Sequence, residues 1–318
     1  MKGKHVISIT SRKATYRLEL ERKISVLKGN SGTGKSSLIR LISEYLEYGK
    51  QSGVKLLTDP VVSLSVLTNT SDWSEILASV HDTVLFIDED VRYLYSESFQ
   101  RELWAADCYA VIVSRSGRFA ALPYSISGIY ELVTEKRGIN TATTMYRLYE
   151  EERDRGYFDL VLTEDSNSGF EWFSFLADKA GIHCISSGGK SSVFTSLLQH
   201  KGGKILVFAD GAAFGAEMER VYQYTQLHPE TTMLYLPESF EWLILRSGIL
   251  HDEEIRTVLA SPSDYIDSRL YFSWEQFFSA YLTEKSKDTV YQYSKTKLNS
   301  VLTHEHCIAK MLQVIENG

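Results

Sequence analysis

The chain has 318 residues, of which 43% are hydrophobic and 24% are charged, and its formal net charge is −7. This length exceeds that of a typical single domain, so we expect two domains, each with a core of its own. The acidic balance argues against a protein whose whole surface binds nucleic acid, although a local basic groove stays compatible with it.

The three cysteines, Cys108, Cys184 and Cys307, are far apart in the sequence, which favours a reducing compartment over a disulfide framework. The first residues lead directly into a predicted strand, without the apolar run of a secretion signal. No apolar run has the length of a transmembrane helix. We therefore expect a cytoplasmic protein without a membrane partner.

Alternating residues predict two short strands at 5–10 and 15–20, and a buried strand follows at 24–27. The next segment, Gly-Asn-Ser-Gly-Thr-Gly-Lys-Ser at 29–36, matches the pattern G-x-x-x-x-G-K-[ST]. A loop that wraps a polyphosphate in backbone N–H groups needs glycines where the chain bends close to the ligand. The helix predicted after it directs its positive N-terminus at the same place.

This motif predicts an ATP and Mg²⁺ site. Lys35 would reach the β- and γ-phosphates, and the Ser36 hydroxyl would hold Mg²⁺. The predicted nucleotide-binding residues are Gly29, Asn30, Ser31, Gly32, Thr33, Gly34, Lys35, Ser36 and Ser37. The alternative is a glycine-rich turn that binds nothing.

After a strand at 61–67 and a helix at 72–80, four apolar residues at 84–87 run into Asp88 and Glu89. Such a run is typical of a buried parallel strand with carboxylates at its tip. It resembles the Walker B pattern, which implies that Asp88 orients the magnesium shell and that Glu89 polarises the attacking water. The alternative is a strand that runs into an acidic turn.

A further buried strand at 109–113 ends in Ser114 and Arg115. Because parallel sheets bind ligands at their carboxyl edge, Ser114 is a candidate γ-phosphate sensor. Arg115 or Arg118 is a candidate arginine finger, and a solvated strand end is the alternative. The predicted catalytic residues are thus Lys35, Glu89 and Arg115.

The strand pair ahead of the loop resembles the ATPase heads of the ABC and SMC kind. The sequence lacks an L-S-G-G-Q signature, so the active form is expected to differ from the ABC sandwich dimer. It also lacks an N-K-x-D element, which favours ATP over GTP.

A charged linker or helix is predicted at 136–155 because this segment is strongly polar. Strands then alternate with helices, which is the doubly wound pattern. The predicted strands lie at 158–163, 182–185, 204–209 and 232–236.

Three acids, Glu164, Asp210 and Glu241, follow strands of this second α/β segment. Carboxylates gathered at one edge of a parallel sheet can hold Mg²⁺ or Mn²⁺ for phosphodiester chemistry, so we predict that these three are metal ligands. The alternative is that the acids at strand-to-helix turns cap helices.

The order of Glu164, the turn Gly188-Gly189-Lys190 and Asp210-Gly211 resembles the Toprim fold of topoisomerases, primases and the overcoming-lysogenization-defect (OLD) family of ATPase nucleases. An ATPase followed by a Toprim domain is the OLD-like order. The resemblance implies that Glu164 is the acid of the first loop and that Asp210 leads the D-x-D pair, with Glu241 similar to a later acid. The second Asp of the pair would stand at position 212, which is Ala212.

Helical spacing at 255–259, 274–282 and 301–315 predicts a helical tail. Its lysines are interleaved with tyrosines, a pattern that can contact DNA or RNA, and a solvated helix face is the alternative. The residues of this basic-aromatic patch are Lys285, Lys287, Tyr291, Tyr293, Lys295 and Lys297.

These patterns predict an α/β chain in four parts. They are a P-loop NTPase domain at 1–135, the linker at 136–155, a Toprim-like (Rossmann-like) α/β domain at 156–250 and a helical C-terminal region at 251–318.

The predicted function is an ATP-binding and ATP-hydrolysing protein that controls a Toprim-like, metal-dependent nuclease domain. Its expected partners are a nucleotide, DNA or RNA, and either a second copy of the chain or a partner protein. The alternative, which Ala212 favours, is a regulatory ATPase whose inactive Toprim-like domain serves as a binding or assembly module. A third hypothesis is a kinase or transferase in which Asp210 or Glu164 activates a substrate hydroxyl.

Overall fold

The chain is described here from a computed structural model, which covers residues 1–30, 32–69, 72–149, 157–200 and 202–317. It is a mixed α/β protein that divides into two compact units. The first unit comprises Met1–Tyr149 and Pro262–Ser273, and the second comprises Glu150–Ser261 and Trp274–Gly318. Within the described ranges, no helix is both long and apolar enough to cross a bilayer.

The strands of the first unit are β1 (His5–Thr10), β2 (Ala14–Leu20), β3 (Ile24–Lys28), β4 (Lys55–Asp59), β5 (Ser63–Leu67), β6 (Thr83–Ile87), β7 (Cys108–Ser114), β8 (Ile129–Arg137) and β9 (Asn140–Arg147). In the described residues they form one nine-stranded sheet in the order β4-β1-β2-β9-β8-β3-β7-β6-β5. Within the run β8-β3-β7-β6-β5, each adjacent pair of strands is parallel. β1 pairs antiparallel with both β2 and β4.

Every residue of β6 and β7 is buried. Parallel strands covered on both faces require such continuous apolar runs, which is why the sequence predicted both strands correctly. In β1, buried residues alternate with more exposed ones, so only one of its faces contributes to the core. β4 was not predicted, because its five residues do not include a buried one that would mark an apolar face.

The described helices of the first unit are α1 (Lys35–Tyr48), α2 (Trp73–Ser79) and α3 (Glu97–Ala105). α1 buries Leu38, Leu41 and Ile42, which recur at helical spacing and share a core with Leu27 of β3. The predicted order of strand, glycine-rich loop and helix is therefore confirmed.

The predicted linker or helix at 136–155 is wrong for residues 136–147. These residues belong to the antiparallel hairpin of β8 and β9, whose register runs from Tyr130 opposite Arg147 to Arg137 opposite Asn140. Polar residues dominate this segment, and burial along β9 does not alternate regularly, so the composition concealed the strands. The end of the predicted linker, at 150–155, lies outside the described residues.

The strands of the second unit are β10 (Leu160–Thr163), β11 (His183–Ser186), β12 (Ile205–Phe208) and β13 (Thr232–Tyr235). They form a parallel sheet in the order β11-β10-β12-β13. Its helices in the described ranges are α4 (Ser168–Ala180), α5 (Lys190–Gln199), α6 (Gly215–Leu227), α7 (Phe240–Arg246), α8 (Glu253–Ala260), α9 (Trp274–Ser286) and α10 (Glu305–Asn317). The predicted alternation of strand and helix is confirmed.

The predicted helical region at 251–318 is divided between the two units, since Pro262–Ser273 belongs to the first unit. There the N–H of Gly3 donates to the carbonyl of Ser263 at 2.7 Å, and the Phe272 ring packs 4.9 Å from the ring of Trp104. The remaining residues return to the second unit, where α8, α9 and α10 confirm the three helical patterns of the tail.

Candidate functional site

The first candidate site is the segment at 29–36, here called the glycine loop, which runs from the end of β3 into the first two residues of α1. Its backbone takes φ values of 90° at Gly32 and 91° at Gly34, a region that residues with a Cβ atom rarely adopt. α1 has no side-chain cap at its N-terminus and no acidic residue in its first turn. Its first backbone N–H groups and its dipole are therefore available to an anion. Ser31 lies outside the described residues.

Lys35 lies within the curve of this loop, with only 5% of its surface exposed. Its ammonium donates to the carbonyl oxygens of Gly29 at 2.6 Å and Asn30 at 2.9 Å, and to the Thr33 hydroxyl at 3.0 Å. Ser36 and Ser37 are exposed in the first turn of α1. The ammonium is thus held by the loop beside the open end of the helix.

Burial lowers the pKa of Lys35. The negative charge of Glu89 opposes this shift, and the positive charge of Arg115 adds to it. The structure therefore brings together all three predicted catalytic residues, although they come from separate segments of the chain.

The sheet explains this convergence. β7 lies between β3 and β6, all three strands are parallel, and Lys28 stands opposite Ser114 in the register. The carboxyl ends of the three strands consequently meet at one edge. That edge carries the glycine loop, the segment after Ser114, and Asp88 with Glu89.

Glu89 and Arg115 form a bidentate ion pair at this edge. Arg115 Nη2 lies 3.0 Å from Glu89 Oε1, and its Nε lies 3.1 Å from Oε2. The half-buried Asp88 accepts the N–H of Glu89 at 2.8 Å through Oδ1. The two carboxylates of the predicted Walker B segment are therefore held in place, Asp88 by a backbone N–H and Glu89 by Arg115.

Ser114, the candidate phosphate sensor, is fully buried. Its hydroxyl oxygen accepts the N–H groups of Ser116 at 3.2 Å and Gly117 at 3.3 Å, and it lies 3.2 Å from the Tyr95 hydroxyl. These bonds shape the turn that presents Arg115. They favour a structural role for Ser114.

The second candidate site lies in the second unit, where β10 and β12 are neighbours. The chain leaves β10 for β11 on one side and returns to β12 on the other, which makes this the point where ligand crevices form in parallel sheets. A pocket opens there, here called the acidic pocket. It is lined by Glu164, Asp165, Asn167, Ser168, Gly169, Phe208, Asp210, Phe240, Glu241, Tyr293 and Lys295.

Hydrogen bonds of Glu164 and Asp210 connect the segments that follow β10, β12 and β13. The N–H of Asp210 donates to Glu164 Oε2 at 3.1 Å, and the N–H of Phe240 donates to Asp210 Oδ1 at 3.1 Å. Burial raises the pKa of Glu164 to about 7, against the effect of Lys190. Burial and the neighbouring acids, Glu275 first, raise the pKa of Asp210 well above its ordinary value.

Glu241 is the most deeply buried of the three predicted metal ligands, with 2% of its surface exposed. Its Oε1 accepts the hydroxyl of Tyr293 at 2.5 Å and that of Ser279 at 2.7 Å. Its Oε2 has no hydrogen-bond partner among the described residues. Burial and the Glu241 carboxylate raise the pKa of Tyr293, which keeps its hydroxyl a donor.

The structure thus brings Glu164, Asp210 and Glu241 to one pocket, where one oxygen of each carboxylate accepts an internal hydrogen bond. Across the described residues, no group of three or more His, Cys, Asp or Glu side chains is arranged to hold a metal ion. Ala212, at the position of the second Asp of the Toprim pattern, is buried, and its N–H donates to the carbonyl of Glu238 at 3.1 Å.

Most of the basic-aromatic patch of the tail does not lie on a helix. α9 ends at Ser286, and Asp288, two residues later, has a φ of 59°. Tyr293 is buried against Glu241. Lys295 pairs with Glu275 at 2.8 Å, and Lys285 pairs with Asp252 and Glu254. These contacts show that two of the four lysines are neutralised by local acids.

No protein-family model matches this chain, and no curated protein sequence does.

Sequence reasoning did not find the roles of Tyr16, Tyr293 and Lys295. Tyr16 contacts the glycine loop from β2, and Tyr293 reaches Glu241 across 52 positions of the sequence. Tyr293 and Lys295 belong to the basic-aromatic patch, but no local pattern in the sequence places them in the acidic pocket.

Because the folded pKa of Glu164 lies above the ordinary 4.5, the folded state binds more protons than the unfolded state between pH 4.5 and about 7. Its contribution to stability is complete below this window and is lost as the pH rises through it. Glu164→Gln cannot ionise and keeps an acceptor for Asp210. We expect it to stabilise the protein at pH 8 by about 1–2 kcal/mol, but not at pH 4.5.

Thermal unfolding followed by circular dichroism at both pH values measures this difference. Replacement of the exposed Glu230 by Gln is the control and is expected to show no such pH dependence. An equal effect of Glu164→Gln at the two pH values would contradict a raised pKa of Glu164 in the folded protein.

Proposed function

We propose that the first unit binds ATP with Mg²⁺ at the glycine loop and hydrolyses it. The observation that carries this proposal is the position of the Lys35 ammonium inside the loop, beside the Glu89–Arg115 pair. Phosphoryl transfer uses a combination of phosphate-binding backbone, a lysine and carboxylates. Here these are the glycine loop, the buried Lys35, and the acids that follow β6.

Each residue has a defined task in this proposal. The backbone N–H groups of the loop and Lys35 bind the phosphates. Ser36 and Asp88 would hold Mg²⁺, which neutralises charge on the phosphates when it is bound. Glu89 accepts a proton from the attacking water, and Arg115 stabilises the negative charge of the transferred group. Because Arg115 now pairs with Glu89, this pair must separate or turn before both groups act.

Removal of the loop ammonium tests the site. Lys35→Ala is expected to weaken ATP binding by about tenfold to a hundredfold, since a charge-assisted hydrogen bond contributes roughly 1.5–3 kcal/mol. Titration with a fluorescent ATP analogue measures the affinity. Lys50→Ala, which removes an exposed lysine beyond the end of α1, is the control. Equal affinities for all three proteins would exclude the glycine loop as the site.

Loss of the predicted base tests the chemistry separately from binding. Glu89→Gln is expected to leave ATP affinity within about threefold, while turnover falls by about 10²–10⁴-fold, the range of general-base catalysis. Phosphate release under saturating ATP measures turnover. Asp90→Asn, an exposed neighbour, should retain the wild-type rate. A Glu89→Gln protein that turns over normally would remove Glu89 from the mechanism.

For the second unit we propose a Toprim-like module that the nucleotide state of the first unit controls. The carboxylates of the acidic pocket are engaged in internal hydrogen bonds, and Ala212 replaces an expected ligand. These two observations favour a binding or assembly module over a metal-dependent nuclease.

Plasmid cleavage separates these two functions. With Mg²⁺ or Mn²⁺, the module hypothesis predicts that wild-type protein cleaves no more DNA than Asp210→Ala or Glu164→Ala. Gel electrophoresis of nicked and linear products measures cleavage. Robust cleavage by the wild type that both substitutions abolish would establish the nuclease instead.

A further inference from the structure

Tyr16 reaches the glycine loop from outside the strands that carry the predicted motifs. It lies on β2, and only 3% of its surface is exposed. Its ring belongs to the core that also contains Leu38 of α1. Its hydroxyl donates to the carbonyl oxygen of Gly34 at 3.2 Å, and the Ser37 side chain also hydrogen-bonds this hydroxyl. One side chain thus connects the core to the last turn of the loop.

Gly34 is constrained from two directions. Its φ of 91° disfavours any residue with a Cβ atom, and a Cβ atom built there would lie only 3.1 Å from the Tyr16 hydroxyl. Its carbonyl oxygen accepts both that hydroxyl and the N–H of Leu38, the latter at 2.9 Å. Both lone pairs of the oxygen are therefore directed towards the helix and the core.

The orientation of this carbonyl decides where the next N–H points. In a trans peptide the C=O and N–H bonds are antiparallel, so the N–H of Lys35 points away from α1 and out of its N-terminus. That is the direction from which an anion approaches a helix. A tilt of the Gly34 peptide would turn this N–H off the ligand.

We propose that Tyr16 is a positioning residue in nucleotide binding: its hydroxyl holds the Gly34 carbonyl so that the N–H of Lys35 faces the phosphates. The inference rests on the proposed ATP site in the glycine loop. Burial raises the pKa of Tyr16, so its hydroxyl remains a donor throughout the physiological range.

The proposal predicts how kinetics change when the hydroxyl is removed. Tyr16→Phe keeps the ring in the core and deletes only the hydroxyl, with its hydrogen bonds to the Gly34 carbonyl and the Ser37 side chain. Because the bond acts on the loop in the bound ground state and the transition state alike, KM for ATP should rise while kcat is preserved. The affinities for ATP and ADP should both fall by about threefold to tenfold, the size expected for one hydrogen bond.

Tyr109→Phe is a closely matched control. Tyr109 is 2% exposed, and its hydroxyl donates to the carbonyl of Gly3 at the same 3.2 Å. It lies near the start of β7, at the other end of this strand from Ser114. Both substitutions remove a buried hydroxyl that donates to a backbone carbonyl, so a loss of stability alone should affect nucleotide binding in both variants.

The experiment measures ATP and ADP affinity, KM, kcat and thermal stability for the wild type and both variants. A rise in KM confined to Tyr16→Phe, with similar melting temperatures for both variants, would support the proposal. An unchanged KM in Tyr16→Phe, or an equal rise in Tyr109→Phe, would overturn it while leaving the ATP site intact. Absence of ATP binding by the wild type would overturn the proposed function itself, and this inference with it.

Discussion

The parallel alignment of β3, β7 and β6 is the constraint on which the first site depends. Parallel neighbours place their carboxyl ends at one edge, and the register sets Lys28 opposite Ser114. The glycine loop, Arg115 and Glu89 follow these ends directly, so they meet without any further arrangement of the chain. The burial of every residue in β6 and β7 makes this alignment rigid, because a shift of register would leave buried backbone groups unpaired.

The two units place acids in the same structural position, at the ends of parallel strands, yet in opposite electrostatic settings. Glu89 faces the guanidinium of Arg115, and its negative charge opposes the lowering of the pKa of Lys35 that burial causes. In the acidic pocket, burial and the neighbouring acids raise the pKa values of Glu164 and Asp210, although Lys190 opposes the shift of Glu164. The first edge therefore suits a negatively charged ligand bound by cations, whereas the second favours protonated or hydrogen-bonded carboxyl groups.

The sequence patterns that predicted structure correctly were those in which the apolar character of each residue matches its burial. β6, β7, β10 and β12 have apolar runs of the length that a covered sheet needs, and their positions agree with the prediction. The hairpin of β8 and β9 was not predicted, because most of its residues are polar and burial along β9 does not alternate regularly. The segment Pro262–Ser273 was misassigned for a different reason, since only its contacts with distant residues such as Gly3 and Trp104 reveal its unit.

By itself, the sequence determined the glycine loop, the strand before it, the helix after it and the acids that end β6, because glycine, lysine and apolar spacing act locally on the backbone. The tertiary structure alone decided that Arg115 pairs with Glu89, that Tyr16 holds Gly34, and that Tyr293 donates to Glu241. These contacts join residues that are 18 to 52 positions apart. Their physical origin is the packing of whole strands and helices, which fixes the direction of each side chain and is not encoded in any short stretch of residues.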